Sequence, residues 1–118
     1  MLLHVEDLAV TIDRRAKTPV RPVRGVSLTV DAGTTVAIVG ESGCGKSMTC
    51  LAISGLLPAR GRVSAGQIIL QGQDLVALDA KSAMALRRAS MASVFQDATG
   101  GLNPVRSIGW QIAEAVRL

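Results

Sequence analysis

Aromatic side chains are nearly absent: Phe95 and Trp110 are the only two in 118 residues, and there is no tyrosine. Any core must therefore be aliphatic. A groove for single-stranded nucleic acid, which stacks bases on aromatics set among cations, is not expected. Histidine occurs once, at His4, more in keeping with a surface or strand residue than with a ligand. The cysteines, Cys44 and Cys50, form no CxxC pair and have no histidine beside them, so a His/Cys metal site is not expected either. Unpaired thiols suit a cytosolic protein. The longest uncharged stretch, Ser47 to Ala59, has 13 residues. A membrane span needs ~20 apolar residues. Met1 to Asp7 lacks a basic segment leading into an apolar run, so no signal peptide is expected. These absences predict a soluble cytoplasmic chain whose membrane role, if any, is peripheral.

What is present is apolar and mildly basic. Apolar residues make up 48% of the chain, which suits a globular fold and not a disordered one. The length fits one domain or part of a larger one. Net charge is +4, from 13 Lys and Arg against 9 Asp and Glu, with one cluster at Arg14, Arg15, Lys17, Arg21 and Arg24. Such a cluster reads first as a solvated surface loop. A weak attraction to anionic lipid headgroups is the second reading.

Leu8, Val10 and Ile12 alternate with Ala9 and Thr11, predicting a strand that starts near Leu2. The proline-containing stretch Asp13 to Pro22 reads as a loop, Val23 to Val30 as an antiparallel partner strand, and Asp31-Ala32-Gly33 as a turn. Thr34 to Val39 is a short β-branched apolar run, suited to a parallel strand buried on both faces. Lys46 to about Leu57 has almost no polar face and predicts a buried helix, stopped by Pro58. Arg60 to Gly66 reads as a loop, Gln67 to Gln71 as a strand, and Gly72-Gln73 as a turn. Asp79 can cap a helix to about Ala89. Met91 to Phe95 reads as another apolar strand, Gln96 to Arg106 as a loop, and Ser107 as the cap of a last helix from Ile108 onward.

Between the apolar run and the first helix lies Gly40-Glu41-Ser42-Gly43-Cys44-Gly45-Lys46-Ser47, which matches the phosphate-binding pattern G-x-x-x-x-G-K-[ST] at every fixed position. The residue types follow from the task. Successive N–H groups must point inward around a phosphate, and glycine accepts the positive φ angles that this requires. The loop ends at a helix N-terminus, where unpaired amides and the helix dipole favour an anion. Lys46 supplies a cation for the β- and γ-phosphates, and the Ser47 hydroxyl can coordinate Mg²⁺. Chance yields such a match in roughly one chain in a few hundred of this length. Its position after an apolar strand and before a helix makes it more specific still. A dinucleotide-binding loop is ruled out, because Met48 stands where a third Gly or Ala is needed. In a protein kinase the lysine would lie on a later strand. Cys44, beside a helix N-terminus and a lysine, is either a reactive thiol that MgATP shields or an inert small residue filling the loop.

Taken together, these segments resemble the ATP-binding subunits of ABC transporters. Val36-Ala37-Ile38-Val39 leads into the phosphate loop as in that family, and Arg24-Gly25-Val26-Ser27-Leu28 with Asp31-Ala32-Gly33 is similar to its preceding strand pair. Val94-Phe95-Gln96-Asp97 looks like its Q-loop, and Leu102-Asn103-Pro104 with Ile108 to Ala115 resembles the dipeptide/oligopeptide importer branch. The resemblance implies an α/β P-loop NTPase fold with an N-terminal antiparallel β subdomain, residues 1–118 forming the N-terminal part of one nucleotide-binding domain. It implies ATP and Mg²⁺ as cofactors, held by Gly40, Glu41, Ser42, Gly43, Cys44, Gly45, Lys46, Ser47 and the Met48 amide. Lys46 and Gln96 would be catalytic, and Ser47 and Gln96 would reach the metal. The implied partners are membrane-spanning permease subunits and a second ATP-binding subunit, at the cytoplasmic face of the inner membrane.

The chain departs from the family in two ways. Ile12 stands where many relatives carry an aromatic ring to stack on adenine, and the signature motif, the Walker B strand with its catalytic Glu, and the switch His are all missing. The expectation is thus an N-terminal piece that binds ATP without hydrolysing it, poorly soluble for want of its later strands. Left open are a nucleotide-binding module or remnant without ATPase activity, and a different P-loop enzyme such as a small-molecule kinase.

Overall fold

The computed structural model describes residues 1–97 and 100–117; Ala98, Thr99 and Leu118, which fall in the expected loop and last helix, lie outside the described residues. Strand β1 (Leu3–Arg14) pairs antiparallel with β2 (Lys17–Val30) on one side and with β3 (Gly61–Leu70) on the other. A two-residue β4 (Gln73–Asp74) completes the order β2-β1-β3-β4. Helices α1 (Lys46–Ser54), α2 (Ala80–Ser90) and α3 (Ile108–Arg117) follow in the chain.

β1 is central, and its buried face carries the core. Val5, Leu8 and Val10 are fully buried, although strict alternation from Val5 would bring positions 7 and 9 inside. The register slips between Val5 and Leu8, where Asp7 adopts φ 47°. This bulge resets the phase, so that Leu8 and Val10 rejoin Val5 on the inner face. Val23, Ile68, Leu70 and Leu75 pack around them, and α1 contributes Ala52 and Ile53.

The antiparallel β subdomain expected from the sequence is present and larger than predicted. The stretch Asp13 to Pro22 is not a loop: β1 and β2 run through it and turn only at Arg15-Ala16. Its prolines are tolerated because β2 is an edge strand, where a missing N–H need not break a ladder. Likewise Arg60 to Gly66 is mostly strand, paired with β1 from Gly61. The two apolar runs expected as parallel strands differ in the other direction. Thr34 to Val39 and Met91 to Phe95 belong to no ladder among the described residues, and Val39 and Val94 are 88% and 100% exposed. Apolar, β-branched composition does not make a strand unless a neighbour supplies the hydrogen bonds.

Helix α1 is also less buried than its composition suggests. Thr49, Ala52 and Ile53 face the sheet, while Cys50 is exposed and Leu51 half-buried. It ends at Gly55, three residues before Pro58. Gly55 takes φ 72°, its N–H donates to Ala52 O, and Leu56 N–H donates to Leu51 O at 2.8 Å, the paired bonds of a Schellman motif. Arg87 Nε of α2 donates to Ile53 O at 2.9 Å, placing a cation at the negative end of the α1 dipole. Burial alone pushes the Arg87 pKa down from its ordinary value.

α2 and α3 begin as expected. The Asp79 carboxylate accepts from Lys81 N at 3.0 Å and Ser82 N at 3.1 Å, and Ser107 Oγ accepts from Trp110 N at 3.3 Å.

Two outcomes follow. Leu8→Ala should cost about 2–5 kcal/mol of unfolding free energy, read by chemical denaturation, because it empties the fully buried centre of β1. Hydrogen bonds from the Ser82 hydroxyl and amide, then the Lys81 amide, hold the Asp79 carboxyl below its usual value of 3.8. The stabilisation from this cap is therefore complete above that range and is lost as pH falls through the lowered folded value. Asp79→Asn keeps a cap but cannot titrate. Its melting temperature should fall less steeply on acidification than that of the parent protein.

Candidate functional site

The phosphate loop is built by three local constraints. Gly45, the N-cap of α1, sits at φ 102°, which L side chains rarely adopt. A Cβ there would also lie 2.4 Å from the Pro22 carbonyl oxygen of β2, so no other residue fits between strand and loop. Gly43, at φ 80°, supplies the other left-handed turn. Finally, the Lys46 ammonium folds back and donates to Gly40 O at 2.7 Å and Glu41 O at 2.6 Å, closing the loop into a ring. An ammonium has three donors. The third donates to Cys44 Sγ at 3.6 Å, a weak acceptor that a phosphate oxygen can replace.

Electrostatics favour an anion here. The first turn of α1 holds no acidic residue, and Gly45 provides no side-chain cap. The amides opening a helix have no partner within it, and the dipole adds partial positive charge at the same point. A glycine cradle with a lysine at its rim and free amides at its base fits a triphosphate. Among the described residues no group of three or more His, Cys, Asp and Glu could hold a metal by itself. A magnesium ion commonly binds through one or two protein groups plus substrate phosphates, and Ser47 is exposed at the right end of the loop.

Two clefts flank the loop. One, of about 670 Å³, runs between Thr34–Val39 and Met91–Phe95 and is lined by Val36, Ile38, Lys46, Ser47, Phe95 and Gln96 among others. The structure thus brings Gln96, some fifty residues along the chain from Lys46, to the same cavity as Lys46 and Ser47. The other, of about 350 Å³, lies between Gly43-Cys44 and the β2 segment Arg21 to Arg24. The contribution of Arg21 and Pro22 beside the loop was not legible in the sequence, where Asp13 to Pro22 read as a loop, while Arg24 lies in the expected partner strand. Ile12 pairs with Val20 and Gly61, so its immediate strand neighbours add no ring. Cys44 and Cys50 are both exposed and free.

Leu102-Asn103-Pro104 is held against α3 by Gln111, a residue the sequence reading did not single out. Gln111 Oε1 accepts from Asn103 N at 2.8 Å, and Gln111 Nε2 donates to Asn103 O at 3.1 Å and Arg106 O at 3.0 Å. The Arg106 guanidinium lies 4.7 Å from the Trp110 ring centroid, a cation–π contact that stiffens the same turn.

The sequence profile of the ABC transporter family matches residues 23–111, which take in the phosphate loop, Gln96 and this pinned turn. The chain belongs to that family. Its fold is accordingly that of a P-loop NTPase. The oligopeptide transport ATP-binding protein OppD of Mycobacterium tuberculosis is 45% identical over 117 residues, covering 99% of this chain and 19% of OppD. The dipeptide transport ATP-binding proteins DppD of Escherichia coli and Haemophilus influenzae are each 42% identical, covering 99% and 98% of this chain and 36% and 35% of their own lengths. The chain therefore spans about a third or less of these curated relatives. No helix among the described residues is long and apolar enough to cross a membrane.

The Gly45–Pro22 contact makes a sharp prediction. Gly45→Ala adds one methyl group at a strained φ and against a backbone oxygen. It should destabilise the protein by more than ~1 kcal/mol. Gly100→Ala, which would contact only the Asp97 side chain, should be much milder. Thermal unfolding of both variants checks this.

Proposed function

We propose that this chain forms the N-terminal part of the ATP-binding subunit of an ABC importer for peptides or similar small solutes, and that residues 40–48 hold MgATP. The observation that carries the reading is the convergence of Lys46, Ser47 and Gln96 on one cleft at the head of α1. The amides from Ser42 to Met48 would cradle the phosphates, and the Lys46 N–H that donates to Cys44 Sγ would turn to a β- or γ-phosphate oxygen. The Ser47 hydroxyl and the Gln96 amide oxygen are the groups that would reach Mg²⁺, whose charge offsets that of the phosphates when bound. The names of OppD and DppD support a peptide as the solute, while membership of the ABC transporter family supports membrane-spanning permease subunits and a second ATP-binding subunit as partners and a peripheral position on the inner face of the membrane.

The cleft also supports the domain assignment. Val36 and Ile38 on one wall and Met91 and Val94 on the other are apolar residues of two extended runs without ladders. A further strand laid between them would give both runs hydrogen-bonding partners and remove apolar surface from water. A second reading, nucleotide binding without turnover by these residues alone, is favoured by the same lining. No Asp or Glu borders the cleft among the described residues, so no carboxylate there serves as a general base.

Lys46→Ala removes a charge-assisted contact worth ~1.5–3 kcal/mol, so MgATP affinity should fall roughly ten- to a hundredfold in isothermal titration. Gln96→Ala should cost much less. Unchanged affinity in the lysine variant of folded protein would defeat the phosphate-loop assignment. Maleimide labelling of Cys44 should slow when MgATP is present.

A further inference from the structure

The basic stretch that read as a solvated loop is the end of the sheet where β2, β1 and β3 lie side by side. Arg14 and Lys17 are direct cross-strand partners around the Arg15-Ala16 turn. Arg21 follows Val20, the partner of Ile12, while Arg62 pairs with Thr11 and the carbonyl of Arg60 accepts from Asp13 N at 3.0 Å. Six cations, four on the strands (Arg14, Lys17, Arg21, Arg62), Arg15 in the turn and Arg60 just before β3, therefore gather at the last three to four rungs of the sheet, and all six are exposed. At ~3.3 Å per residue they lie within about 10–13 Å, comparable to the Debye length at physiological salt. They act together as one concentrated positive charge. Asp13 is the only carboxylate in residues 12–21 and 60–65, and it is engaged by Arg62 Nε at 3.6 Å.

The arrangement is unfavourable for the isolated fold. Like charges stand directly opposite at Arg14 and Lys17, which destabilises an antiparallel pair. Ala16 is forced to φ 52°, where glycine or asparagine would be at ease. An external polyanion relieves the repulsion. Alternation along the strands sends the cations to both faces, so the charged surface is the tip of the sheet, which meets a plane end-on.

We propose that this hairpin tip binds the headgroups of an anionic phospholipid surface. A lipid surface suits a convex, diffuse cluster that offers no apolar slot for a peptide anchor. Single-stranded nucleic acid fits less well, because β1, β2 and β3 carry no aromatic side chain for stacking. The tip gives a membrane-associated subunit a direct contact with lipid beside its contact with protein partners. Of the six cations only Arg21 lines a cleft beside the phosphate loop, and the other five, which the test varies, line neither cleft.

The test is co-sedimentation of the full-length protein, without nucleotide, with vesicles of phosphatidylcholine alone and with vesicles that also contain phosphatidylglycerol. Binding should be at least roughly tenfold greater to the anionic vesicles and should weaken as salt rises. The triple variant Arg14→Gln, Arg15→Gln, Lys17→Gln should lose that preference with an unchanged circular dichroism spectrum. A double variant, Arg60→Gln with Arg62→Gln, should lose part of it, so the outcome does not rest on one construction. Equal binding to both vesicle types, or full binding by the triple variant, overturns the proposal. Tighter binding to duplex DNA than to anionic vesicles overturns it also and assigns the tip to nucleic acid. Lys46→Ala should leave vesicle binding untouched, which separates failure here from failure of the ATP-binding assignment.

Discussion

Where β2 passes the phosphate loop, the Pro22 carbonyl approaches Gly45 so closely that a single added carbon would sit 2.4 Å from the oxygen. That contact fixes the start of α1 against the sheet. The direction of the helix, the placement of its first amides and the position of Lys46 all follow from it. The sheet in turn owes its rigidity to β1, whose bulge at Asp7 keeps Val5, Leu8 and Val10 on one buried face. The site is thus a loop held at a fixed point by the backbone of an antiparallel sheet, as geometric fidelity in a binding constellation requires.

α1 is held at both ends, by different means. Its N-terminus lies under the Pro22 carbonyl and keeps its amides for an anion. Its C-terminus has its carbonyls satisfied by the Gly55 and Leu56 amides and by Arg87 from α2. The carbonyls of Leu51, Ala52 and Ile53 are thus satisfied at one end, while the amides at the other are left for an anion. The same helix divides its faces, burying Thr49, Ala52 and Ile53 on the sheet and turning Cys50 and Leu51 toward the cleft that Gln96 borders.

What could be seen in the sequence was whatever is decided locally. The phosphate loop declared itself because its glycines, lysine and serine each answer a requirement within eight residues. Asp79 and Ser107 declared themselves as caps for the same reason. Leu8 and Val10 were legible as inward residues, but the bulge at Asp7 that brings Val5 to the same side was not, because it depends on two neighbouring strands. Composition misled where tertiary pairing decides. Arg, Pro, Lys and Gly hid the strand ends around residues 13–22 and 60–66, which pairing with β1 imposes. Val36, Ile38 and Val94 looked like strand interior, yet no described residue supplies their ladder. Pro22 gave no signal at all, since its role is carried by a carbonyl that every residue possesses.

The margins of the sheet have a consequence for self-association. An open strand edge is a template on which another chain can polymerise. Here β2, which forms one margin, carries Pro19 and Pro22, which lack an N–H, and Lys17, Arg21 and Arg24, which repel a second copy. At the other margin the two-residue β4 covers only Ile69 and Leu70 of β3. The β2 border is thereby guarded against cross-β growth, while the apolar cleft beside α1 keeps two runs without ladders among the described residues.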